Sequence, residues 1–555
     1  MKPDKEVSKL VADVVVVGAG PVGLTLAIDL AWRGVDVIVL ETRAQGDPPS
    51  VKSNHVSARS MEIFRRLGVA QALRQAGLPA DYPNDVVYRT AFLGRELTRI
   101  KIPCRADRYT ATGGPDTWWP TPEPPHRINQ IYLEPVLFAH LSAMPHARIF
   151  NDTSLLDFVQ TPDGVTARAV ESGTGNAMEV TCKFLIGCDG GRSKVRKAIR
   201  ATLSGDVALQ HVQSSYIRAP RLLDMLRDHG GTPAWASFSL NAQQSGNVYA
   251  IDGQEKWLVH VYLKPGITDF EAVDRDNAIR TVLGVDKNFA YELLSKEDWV
   301  GRRLIVDKMR SGRVFICGDA CHLWVPYAGY GMNAGIADAA NLAWLLAAHL
   351  EGWGTDGMLA AYQAERLPIT EQVSHFAMDH THAMTKARKA VSAQIDADGP
   401  DADAYRAAIG KTTYDLNVQQ YCCGGLNFGY YYDRSPIIAY DGEASPPYTM
   451  GDFTPSTTPG ARAPHLWLSP GQSLYDAFGP DYTLLRFDPA IDVSDLVAAA
   501  ADAAVPIKVL DIPAALGADV YRHKLLIARP DQHVAWRGNF APAKPRDLID
   551  RLRGN

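Results

Sequence analysis

Apolar positions along the chain change period several times. Val11 to Val17 is a short β-branched run closed by glycines, and it predicts a buried parallel strand. Helical apolar spacing follows over Leu24 to Arg33 and stops at Gly34, and Val35 to Leu40 reads as a second buried strand. Strand, helix and strand within about thirty residues make a parallel crossover unit. Ser57 to Leu67 predicts an amphipathic helix, and Thr181 to Cys188 another strand. From about Thr202 to Arg303 short runs alternate apolar and polar residues, as in Lys256 to Tyr262, which predicts a mostly antiparallel sheet inserted into the α/β region. Arg313 to Cys317 returns as a strand, and Asn333 to Leu350 is a long apolar helix. Ala387 to Tyr414 reads as helical, and Tyr421 to Arg462, rich in Gly, Pro and Tyr, as an extended connector. Beyond His465 come a strand (Thr483 to Phe487), a helix (Val493 to Ala504), a strand (Ile507 to Leu510), a hairpin (Lys524 to Ala528 with His533 to Trp536) and a closing helix (Arg546 to Leu552). That order is thioredoxin-like.

Composition narrows the class. The 555 residues are too many for one core. Apolar content of 46%, charged content of 21% and a net charge of −5 describe a soluble globular protein with no bias toward nucleic acid or membrane. Seven scattered cysteines without a C-x-x-C pair predict a reducing, cytoplasmic setting, no metal site and no thiol redox role for the C-terminal unit. No secretory or membrane-spanning pattern is read at the N-terminus.

The chemistry sits in three glycine-marked turns. Gly18-Ala-Gly20-Pro21-Val-Gly23 follows a strand and opens a helix. Gly18 permits the turn, Gly20 lets a pyrophosphate approach, and Gly23 lets helix and strand pack closely. Glu41 ends the next strand, eighteen residues past Gly23, where a carboxylate can accept from ribose hydroxyls. These features predict a dinucleotide without naming it. A second segment, Gly318-Asp319, also follows a strand and precedes Trp324, Pro326, Gly329, Gly331, Met332 and Asn333 at the start of the long helix. There a carboxylate can hold a ribityl hydroxyl, and a helix N-terminus can meet charge on a flat ring. The third is Cys188-Asp189-Gly190-Gly191 with Arg196.

In order and spacing, these turns resemble the three motifs of the group A flavin-dependent aromatic hydroxylases, the family of para-hydroxybenzoate hydroxylase and phenol hydroxylase. The resemblance covers about residues 10–375, and the C-terminal unit extends it. It implies an α/β fold: a Rossmann-like FAD-binding domain in three parts (1–80, 126–201, 304–386), a substrate domain (81–125 and the sheet 202–303), a helical linker and connector (387–462) and a thioredoxin-like domain (463–555). It also implies that NADPH or NADH reduces FAD transiently and that a flavin C4a-hydroperoxide hydroxylates a phenolic ring. By position, Glu41 and Arg43 would serve the adenosine end. Arg59 and Gln130 would serve the ribityl–phosphate side, and Asp319 the ribityl or pyrophosphate. Asp189 and Arg196 belong to a motif tied to both FAD and NAD(P)H, or Asp189 simply holds its turn. A homodimer follows from resemblance alone.

A phenol needs a nearby base or acceptor. The phenol-hydroxylase branch often places an acid or histidine five residues before the arginine matching Arg59. Here Asn54 stands there and His55 follows, which leaves the base open between His55, another group and none. Tyr216 and Arg218 are further catalytic candidates. Tyr249, His260, Tyr262, Trp324 and Pro326 are candidates for the substrate pocket, although alternation alone does not say which face points inward. Two other readings stand beside hydroxylation of a small aromatic with O₂. One is epoxidation or Baeyer–Villiger insertion on a polyketide, and the other is a flavin-binding carrier without catalysis.

Overall fold

Val14–Val17, whose first three valines are fully buried, runs through the middle of a six-stranded sheet. In the computed structural model, which describes residues 7–325 and 329–555 and side chains throughout except at 207–209, the sheet order is Arg310–Ser311, Val314–Ile316, Phe184–Gly187, Val14–Val17, Val37–Leu40, Ala147–Phe150. All neighbours are parallel except the first pair. Successive strands therefore leave Val14–Val17 in opposite directions. The turn after it sits at the switch point, where α/β sheets open a crevice at their carboxyl edge.

Two predicted strands are each two strands. Ser8–Val11 and Ala177–Cys182 pair in a separate four-stranded sheet, completed by Val165–Glu171 and Thr153–Gln160. The cause is a shared kink. Lys183 and Phe184 both donate their N–H to the carbonyl of Asp13 (2.8 and 3.1 Å), so the two chain passes change sheet together. Val11, predicted buried, is exposed as a result.

The inserted sheet has nine strands. Its path runs from His322–Leu323 through Trp299–Val306, Leu203–Arg218, Lys256–Tyr262, Gly246–Ala250 and Ala236–Ser239 to Val86–Arg89 and Glu96–Ile100, with Glu292–Lys296 paired on Leu203–Arg218. Every pairing is antiparallel except that of Ala236–Ser239 with Val86–Arg89. Trp257, Val259 and Val261 pack into a core with Ile279 and Val282 of the helix Arg275–Leu283. Leu258, His260 and Tyr262 therefore face the other way, toward the first domain.

Tyr330–Leu350 and the 34-residue Asp356–Lys389 lie side by side, and the second had no counterpart in the sequence pattern. The predicted helix from Ala387 is interrupted. Gly399, at φ +103°, and Pro400 start a new helix, Pro400–Tyr421. In the C-terminal unit the order is Ile507–Asp511, Tyr482–Arg486, Leu525–Ala528, Val534–Gly538, with the first pair parallel and the rest antiparallel, as the thioredoxin-like reading requires. Arg529 joins this unit to the helix Asp356–Lys389. It donates to both oxygens of Glu365 (2.5 and 2.8 Å) and both of Asp531 (3.0 and 2.6 Å). Among the described residues, no helix is long and apolar enough to cross a membrane.

Candidate flavin and substrate site

The glycine turn behaves as its spacing predicts. A Cβ on Gly23 would lie 2.0 Å from the Gly18 carbonyl oxygen, and one on Gly18, at φ +104°, would lie 2.5 Å from the Cys188 carbonyl oxygen. A Cβ on Gly20 would meet nothing within 4 Å. Two glycines are thus required by packing, while the third has open space where a Cβ would stand. Pro21 opens the helix Pro21–Trp32, where its missing N–H costs nothing. Gly20→Ala is expected to leave thermal stability unchanged within about 0.5 kcal/mol and to lower bound flavin. Gly23→Ala is expected to destabilise the domain itself. Flavin absorbance per chain and thermal melts of both variants check this.

Glu41 sits against the turn. One carboxylate oxygen accepts from the Ala19 N–H (2.6 Å), and the other accepts from the Arg43 N–H (2.9 Å). Burial works against the charge, but the Arg43 backbone and guanidinium and the Ala19 N–H outweigh it and hold the carboxyl below its ordinary range. Arg43 also pairs with Glu134 (2.8 Å), which accepts from Gln130 (2.5 Å). The predicted adenosine residues form one chain of contacts, and Gln130 belongs to it.

The other two turns are fastened together. Arg196 donates to the carbonyls of Gly191 (2.9 Å) and Ala320 (3.2 Å). One oxygen of Asp189 accepts from the Lys194 and Val195 N–H groups (2.6 and 3.2 Å), so this residue does hold its turn, while its other oxygen is buried without a partner. Beneath Gly318, Asp338 accepts from His322 (2.8 Å) and Arg366 (2.7 Å), and His322 stacks on Trp324 at 4.5 Å. Asp319 projects into the crevice with no protein hydrogen-bond partner among the described residues.

A cavity of about 550 Å³ separates these turns from the nine-stranded sheet. Asp319, Trp324, Gly329, Gly331 and Met332 line one side, Asn54 and His55 a second, and Tyr249, His260 and Tyr262 the sheet side. Gly329, at φ +60°, caps the Tyr330–Leu350 helix, so the free N–H groups of its first turn face this space. Asn333 is used as a tie. Its side chain accepts from the Ser57 N–H (2.8 Å) and donates to the carbonyls of His55 (3.1 Å) and Gly329 (2.6 Å). Pro326 and Tyr327 lie outside the described residues.

Three expected side chains are placed elsewhere. Tyr216 is on the cavity face of the sheet but one row too far along, packed with Val51, Leu258 and Tyr132. Arg218, one row further, is exposed and pairs with Glu255 (2.8 Å). Arg59 is buried away from the cavity, bonded to Glu62 (3.1 Å), Tyr430 (3.4 Å), Gln532 and the Asp531 carbonyl. The helix Ala58–Arg66 turns this residue toward the C-terminal unit, whose docking could not be read from the sequence.

His55 and Arg127 flank an antiparallel bridge, Val56 with His126, and so stand opposite each other. Arg127 donates to Nδ1 of His55. An arginine only donates, so the neutral ring carries its proton on Nε2. Burial, with Arg127 and His126 adding to it, pushes the His55 pKa well below 6.5. His55 is then a neutral donor rather than a base. The pH profile of kcat/KM for His55→Gln is expected to keep the wild-type shape between about pH 6 and 9. A limb near pH 6.5 present only in the wild type would contradict this. Asn54 is equally committed, accepting from Asn129 (2.5 Å). Sequence reasoning missed Arg127, Trp235, Phe238 and Tyr421 in the lining. The rings of Trp235, Phe238 and Tyr421 form a connected wall with Tyr249, Trp235 lying 5.2 Å from Tyr249 and 6.3 Å from Tyr421.

Comparison with known proteins agrees with this layout. The family model described as an FAD binding domain matches residues 11–377, and the one described as an aromatic-ring hydroxylase C-terminal domain matches residues 456–554. An FAD-dependent monooxygenase of Emericella nidulans is 30% identical over 97% of this chain and 89% of its own length. The phenol 2-monooxygenase of a Pseudomonas species is 27% identical over 99% and 93%. Among solved structures, the rebeccamycin biosynthetic enzyme RebC with reduced flavin superposes with a TM-score of 0.88 at 32% identity, covering 99% of each chain. The complex of aklavinone-11 hydroxylase with FAD and aklavinone gives 0.77 at 27% identity, covering 98% of this chain and 99% of that one. The chain belongs to the FAD-dependent aromatic-ring hydroxylases and is an FAD-dependent monooxygenase of that family, with NAD(P)H as the reductant typical of it.

Proposed function

We propose that this protein hydroxylates a phenolic or related aromatic compound held in the cavity between the Gly-Asp turn and the nine-stranded sheet. One observation carries the reading: aromatic side chains of the sheet face backbone N–H groups and a free carboxylate across a single cavity. In this reading Gly20 admits the FAD pyrophosphate and Glu41 and Arg43 hold the adenosine end. Asp319 accepts from the ribityl chain, and the first turn of Tyr330–Leu350 meets the ring's pyrimidine edge. Bound there, FAD supplies activated oxygen once NAD(P)H has reduced it. The protein's own part is to exclude water with Trp235, Phe238, Tyr249 and Tyr421, to orient the aromatic ring and to offer donors from His55.

The test is a screen of phenols for stimulated NAD(P)H consumption in the holoenzyme, with the product of the best compound analysed after reaction under ¹⁸O₂. A ring carrying one labelled hydroxyl is expected. Label in an epoxide or a ring-expanded ester would replace hydroxylation with another oxygen insertion. NAD(P)H oxidation indifferent to every aromatic would favour a carrier.

A further inference from the structure

Cys104 and Cys188 are half-buried thiols, and the other five of the seven free cysteines are buried. Cys104 donates to Asp107 (3.3 Å). Cys188 instead has a second thiol beside it. The strands Phe184–Gly187 and Val314–Ile316 are parallel neighbours, with Gly187 level with Ile316. Cys188 and Cys317 are the next residues along, so they stand side by side at the carboxyl edge of the sheet. The Cys317 N–H still donates to the Gly187 carbonyl (3.0 Å), and Cys317 keeps extended backbone at φ −147° and ψ 146°. Neighbouring strands lie about 4.8 Å apart, inside the Cα separation of about 4.4–6.8 Å that a disulfide accepts.

Both side chains leave the sheet on one face. The Cβ of Cys188 is 3.2 Å from where a Cβ on Gly23 would stand, in the helix Pro21–Trp32. The Sγ of Cys317 is 3.8 Å from the carbonyl oxygen of Gly335, in Tyr330–Leu350, and these two helices pack on each other. Burial first, and then the Cys188 thiol, push the Cys317 pKa up. Cys317 and Cys321, in the turn that follows, are each only 1% exposed. Neither can meet a solute directly, whereas Cys188 can.

We infer that Cys188 and Cys317 form a site of oxidative modification, at which hydrogen peroxide closes a disulfide across the two strand ends. Nothing in this pairing depends on which substrate the cavity takes. The Cys188 thiolate attacks one peroxide oxygen, the O–O bond breaks, and the departing hydroxide takes up a proton to become water. The sulfur of Cys317 then attacks the Cys188 sulfenic acid. Cys317 gives up its proton as the S–O bond breaks, and a second water leaves. Two thiols lose two electrons and two protons, and one peroxide becomes two waters. Cys317, kept as a thiol by burial, is the resolving partner rather than the first to react. Reduced flavin that meets O₂ without passing oxygen to a substrate yields this oxidant, so an FAD-dependent monooxygenase makes it in idle turnover. The bond joins the Asp-Gly turn to the Gly-Asp turn, beside the tie already made by Arg196, and added thiols reopen it.

The test treats holoenzyme with hydrogen peroxide, alkylates it in denaturant and digests it with trypsin without reductant, and the peptides are weighed by mass spectrometry. Cleavage after Lys183, Arg192 and Arg313 puts Cys188 on one peptide and Cys317 with Cys321 on another. The wild type is expected to give these two peptides joined, to lose two of its seven thiols, and to regain both with dithiothreitol. Cys317→Ser is expected to give no joined peptides and to hold Cys188 as a sulfenic acid that dimedone captures. Cys321→Ser is expected to join as the wild type does. Circular dichroism and flavin absorbance of each variant before oxidation confirm its fold, and the wild-type digest decides even where a variant has not folded. A bond between Cys317 and Cys321 overturns the assignment, as does Cys188 driven to sulfonic acid in the wild type with no bond formed. Joined peptides that persist in Cys317→Ser or vanish from folded Cys321→Ser overturn it, and so do seven intact thiols after peroxide.

Discussion

Arg529→Met is expected to lower unfolding free energy by about 3–5 kcal/mol. Arg529, Glu365 and Asp531 are buried together, with Trp344 and Tyr432 about the guanidinium at 5.0 and 5.1 Å. Asn341 and Ser435 donate to Glu365 as well (2.7 and 2.5 Å). Removing the arginine leaves two carboxylates in a dry contact between the C-terminal unit and the long helix. Those hydrogen bonds remain, but the countercharge does not. Denaturant titration followed by tryptophan fluorescence reads the loss, since Trp344 stands in the contact. Adding Glu365→Leu to Arg529→Met should recover part of it, because one stranded charge is then gone. A single variant melting with the wild type would mean that water reaches this joint.

Asp319→Ala is expected to yield folded protein with little bound flavin. Nothing in the protein depends on this carboxylate, since no described group donates to it. Loss of a partnerless side chain at the crevice should leave the melting curve of flavin-free protein in place. In the proposed placement the flavin loses a charge-assisted acceptor, worth about 1.5–3 kcal/mol or roughly 10- to 150-fold in affinity. The absorbance ratio of flavin to protein after gel filtration measures it. Full flavin content in the variant would place the ribityl chain elsewhere.

The glycine turns around the crevice proposed for the flavin were legible in the sequence because backbone requirements leave marks there. Gly18 and Gly23 have no room for a Cβ, and Gly329 needs a positive φ, so glycine at those positions is close to a statement of geometry. The thioredoxin-like unit was legible for a related reason: its strands are short, periodic and consecutive. The cavity's far wall was not. Trp235, Phe238 and Tyr421 come from a sheet strand, its preceding loop and the end of a helix nearly two hundred residues further on, and no local pattern ties them together. The sheet's facing was also hidden, since alternation puts Tyr216 and His260 on one face without saying that the cavity ends between them. Arg59 shows the opposite failure. Its position within a motif was plain, but its guanidinium follows Glu62 and the docked C-terminal unit, and that docking is a long-range fact.

The clip made by Arg196 sets a condition on shape rather than on charge. It reaches two carbonyl oxygens, of Gly191 and Ala320, that lie in the turns after two different strands. A forked, planar group can span both at once, whereas an ammonium of the same charge has a single point to offer. Exchange for lysine at this position, conservative by any charge scale, would leave one loop unfastened and let the two turns around the crevice drift independently. The spacing between those turns is therefore set by the width of one guanidinium.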